Sequence, residues 1–127
     1  MATAPGLTAG LALLQAAVGW APNMNRIAGL RPTEILVYSR TLLRLGNPEG
    51  AVDELKRGLD VFPRSDEIRV EWLMAEAIAL QEKQDYAGAH RNWTEALGIR
   101  PDNPLAVLGE TTSREGKPLG VPKEQFR

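Results

Sequence analysis

The chain has 127 residues, 43% of them hydrophobic, with 15 Lys and Arg against 16 Asp and Glu and no cysteine. That length suits one domain with a core of its own and not two. The near-neutral balance leaves no electrostatic footprint for nucleic acid. The lack of cysteine excludes a disulfide framework and a thiolate metal site without fixing the compartment.

No charged side chain precedes Arg26. The run Ala9 to Trp20 is apolar, but no basic segment introduces it, and Pro5, Gly6, Gly10 and Gln15 dilute the stretch, which disfavours a signal peptide. It also falls short of the roughly 20 strongly apolar residues of a membrane span. A buried or partner-facing helix is the favoured reading of residues 1–22. The alternatives are an uncleaved signal or membrane anchor, and a chain that starts partway through a longer protein.

Helical punctuation sets the rest. Thr8 to Val18 is a first predicted helix, ended near Gly19 and Pro22, and Asn23 to Gly29 is a short second one. Thr33 to Leu45 is a third and stops at Gly46, a residue suited to the left-handed turn after a helix. Asn47-Pro48 restarts the chain, since Asn caps a helix and Pro fits its first position. That fourth helix runs to about Val61, before Pro63. Ser65 caps a long fifth helix to about Glu82, with Asp66 and Glu67 at its positive end. Asp85 caps a sixth to about Gly98, and Asn103-Pro104 opens a last short helix to about Glu110. Period-two alternation bounded by hairpin turns is absent, so no strands are predicted. From Thr111 the prolines, glycines and scattered charges predict a flexible tail, with Leu119, Val121 and Phe126 as anchors if a partner binds it.

Two of these helices repeat one pattern. The 18 residues Gly46 to Pro63 align without a gap on Gln84 to Pro101. Ala51 then falls on Ala89, Leu55 on Trp93, Gly58 on Ala96 and Leu59 on Leu97. Small residues seven apart share a helix face and let two axes come close, while Leu55 and Trp93 fill the space beside them. The closing proline removes a donor and ends each helix. Such self-similarity signals stacked units that bury a continuous core.

The pattern resembles the tetratricopeptide repeat, an antiparallel helix pair that stacks into a superhelix. Ala51, Leu55, Gly58 and Pro63 match its second helix, as do Ala89, Trp93, Ala96 and Pro101, and Tyr86 takes a favoured aromatic place. The first helices match less well, with Ile35, Tyr38, Ser39 and Leu42 in one unit and Leu73, Glu76, Ala77 and Leu80 in the next. Glu76 stands where the family has leucine, and the closing prolines lie 38 apart instead of the family's 34. Ile27 to Pro32 echoes Ala96 to Pro101, which suggests a degenerate half-repeat. The organisation so implied is residues 1–32 as an apolar helix and half-repeat, 33–110 as two repeats with a capping helix, and 111–127 as a tail.

The fold expected is all-α, a short right-handed stack of antiparallel hairpins with six or seven helices. The resemblance implies a concave partner-binding groove on the first helices. By matching positions it comprises Thr33, Leu36, Val37, Arg40 and Arg44, then Glu71, Met74, Ala75, Ile78 and Gln81. Met74 suits adaptable binding, and Arg40 and Arg44 share a face that could take an acidic group. The bland reading is that the N-terminal apolar helix covers this groove. Family members that grip chaperone C-terminal carboxylates use lysines and asparagines, whereas Leu36, Val37 and Arg40 stand in those places here.

Chemistry is not advertised. His90 is the one histidine, too few for a usual zinc site. Ser39, Ser65 and Ser113 lack a nucleophile motif, and Asp53, Glu54, Asp66, Glu67 and Glu71 suit solvated faces or helix starts. The function expected is a non-catalytic protein–protein interaction module without cofactor or metal: an adaptor, assembly factor or accessory subunit that binds a peptide or helix. The alternatives are a membrane-associated assembly factor anchored through residues 1–22 and a self-associating homo-oligomeric scaffold. The compartment is left open, with the cytoplasm favoured over the periplasm or a membrane-peripheral position.

Overall fold

A computed structural model of the chain describes residues 31–120. The helices expected at Thr8–Val18 and Asn23–Gly29, and the tail anchors Val121 and Phe126, lie outside them. The described residues form five helices and no strand: α1 (Pro32–Arg44), α2 (Pro48–Val61), α3 (Asp66–Glu82), α4 (Tyr86–Ile99) and α5 (Pro104–Arg114). Each helix packs on the next in sequence, giving helical hairpins, and α3 also touches α1 and α5.

Capping explains where the helices begin. Asn47 accepts from the N–H of Gly50, Ser65 from Ile68, Asp85 from Gly88, and Asn103 from Leu105 and Ala106, each at 3.0–3.2 Å. Each such cap satisfies donors that the first turn leaves free and contributes about 1 kcal/mol.

The ends of α1, α3 and α5 share one closure. After α1, the N–H of Gly46 donates to Leu43 O and that of Asn47 to Leu42 O. After α3, Gln84 donates to Gln81 O and Asp85 to Leu80 O. After α5, Gly116 donates to Ser113 O and Lys117 to Thr112 O. Gly46, Gln84 and Gly116 have φ of 81°, 66° and 68°, the left-handed geometry of the Schellman motif. The ends of α2 and α4 differ: Phe62 and Arg100 donate to Gly58 O and Ala96 O, and a proline follows.

The repeated core is in place. Ala51, Leu55, Ala89, Trp93 and Ala96 are fully buried, and Gly58 is buried with them. A Cβ built on Gly58 would lie 3.0 Å from Ile35 Cγ2 and 3.6 Å from Ile68 Cδ1, so α2 approaches both α1 and α3 at this residue. Ile35, Ser39, Leu73 and Ala77 are buried on the first helices, while Tyr38, Leu42, Glu76 and Leu80 are half-buried. Glu76 has a partner that a leucine would lack: Asn92 of α4 donates to its Oε1 at 2.8 Å.

Two elements differ in length from their counterparts. The 17-residue α3 exceeds the 13-residue α1 by about one turn, and counted back from the shared closure the extra turn lies at its start. The last helix continues through Thr111 to Arg114, four residues beyond the Glu110 predicted. Polar side chains hold it there: Ser113 is buried and Thr112 accepts from Gln81 at 2.8 Å.

Candidate functional site

The ten residues assigned to the groove fall on α1 and α3, which pack side by side. Thr33 and Val37 are exposed, Val37 by 57%, and Arg40, Arg44 and Glu71 are half-buried. Leu36, Met74, Ala75, Ile78 and Gln81 are buried. The accessible part of this face is therefore more polar than its composition suggests.

Arg40 and Glu71 join the two helices. Arg40 donates through Nη2 to Glu71 Oε2 at 2.9 Å and through Nε to Oε1 at 3.4 Å, a two-point guanidinium–carboxylate contact. The hydrogen bond to Glu71 raises the Arg40 pKa against the opposing effect of burial, and the charges of Glu71 and Glu67 reinforce it. Arg40 is thus held by the chain itself, which leaves Arg44 as the cation of the pair better placed for an incoming acidic group.

Gln81 is a core residue in its contacts. Its Oε1 accepts from the Trp93 indole Nε1 at 2.8 Å. Its Nε2 donates to Thr112 Oγ1 and to the Lys117 carbonyl, both at 2.8 Å. A buried indole N–H needs an acceptor, and the amide supplies it while tying α3, α4 and α5 together. The sequence signal for this role is the lone amide of α3, which follows the apolar run Ala77 to Leu80 and stands twelve residues before a tryptophan.

A second polar cluster lies between α4 and α5. His90 Nε2 stands 3.0 Å from Glu110 Oε2, and Arg114 Nε donates to the same oxygen at 3.1 Å. Arg114 chiefly, and His90 after it, hold the Glu110 pKa below its ordinary value. A shallow open cleft beside them is lined by Tyr86, His90, Ser113 and Arg114. His90 thereby acts as a tie between helices.

Among the described residues, no group of three His, Cys, Asp or Glu side chains could hold a metal ion. No described helix is long and apolar enough to cross a membrane. No protein-family model matches the sequence, and comparison with curated proteins and with solved structures finds no match.

Proposed function

We propose that the chain is a non-catalytic protein–protein interaction module of the tetratricopeptide type, serving as an adaptor, assembly factor or accessory subunit. Its hairpins run antiparallel in a short right-handed stack, and a peptide or helix binds along α1 and α3. The observation that carries this reading is the repeated small–large–small core: Ala51, Leu55 and Gly58 on α2, Ala89, Trp93 and Ala96 on α4, all buried. Two units with one packing rule place the first helices side by side as a continuous face. On that face Thr33, Val37 and Arg44 are open to contact, and the Arg40–Glu71 pair fixes the spacing of the two helices.

The test is selection of binding peptides from a random library with the full chain as bait, followed by amide chemical-shift mapping. Selected peptides should perturb α1 and α3 first. The double variant Val37→Asp with Arg44→Glu should lose at least about tenfold in affinity, roughly 1.4 kcal/mol, with its melting curve unchanged. Failure to enrich any peptide, or shifts centred away from α1 and α3, would overturn the reading.

A further inference from the structure

We draw no further inference here: the strongest candidate, the shallow cleft between α4 and α5 lined by Tyr86, His90, Ser113 and Arg114, carries nothing because its His90 and Arg114 are both engaged by Glu110 in the tie between helices already described, and nothing in the structure shows what would fill it.

Discussion

Trp93 shows how much one residue organises. Its ring is fully buried on α4, its N–H is satisfied by Gln81 of α3, and Gly109 of α5 lies flat against it. A Cβ on Gly109 would overlap the indole ring, whereas one on Gly98 of α4 would meet nothing within 4 Å. The two glycines therefore predict opposite signs. Gly98→Ala should stabilise the fold by about 0.8–1.0 kcal/mol, the helix-propensity gain alone. Gly109→Ala makes the same gain but overpacks a rigid ring at a cost of about 1–3 kcal/mol or more, so it should destabilise on balance. Urea midpoints of the two variants check this, and equal shifts would refute the packing described. At this scale the sequence was legible where one pattern repeats, as at Ala51, Gly58, Ala89 and Ala96. Gln81 and Gly109 were not legible, because their roles depend on which residues α3 and α5 bring to Trp93.

At the scale of the helix, boundaries follow from capping chemistry, which is why the starts of α2, α3 and α5 could be placed from Asn47, Ser65 and Asn103. The end of α5 could not. Thr111, Thr112 and Ser113 are poor helix formers before a run of glycine and proline, and only the hydrogen bonds from Gln81 to Thr112 and Lys117 show why the helix persists. The three Schellman closures differ in one respect: Gly46 and Gly116 adopt the left-handed conformation freely, but Gln84 carries a Cβ there. Such a conformation costs a non-glycine residue about 1–2 kcal/mol. Gln84→Gly should therefore raise stability by about 1 kcal/mol, less the added freedom of the unfolded chain. An unchanged or lower denaturant midpoint would contradict the assignment. The Gln84 side chain is exposed and is not needed for the turn.

At the scale of the whole molecule, the order of the five described helices and their hairpin packing were legible because each unit repeats its own punctuation. The face proposed for binding was less so. Position within a repeat says which residues share a side of a helix, but not that Leu36, Met74 and Ile78 are buried or that Arg40 is held by Glu71. The one helix that touches all four others among the described residues is α3, with nine buried residues between Ile68 and Gln81. A helix can exchange its amide protons with solvent independently only if its neighbours stay folded when it opens. For α3 that is excluded, since every other helix loses a packing surface with it. Amides from Leu73 to Ile78 should therefore exchange slowest and report global unfolding, while the ends of α1 and α5 exchange through smaller openings. Faster exchange in α3 than in α2 or α4 would show two hairpins opening separately, and the molecule would then behave as a chain of units instead of a single cooperative one.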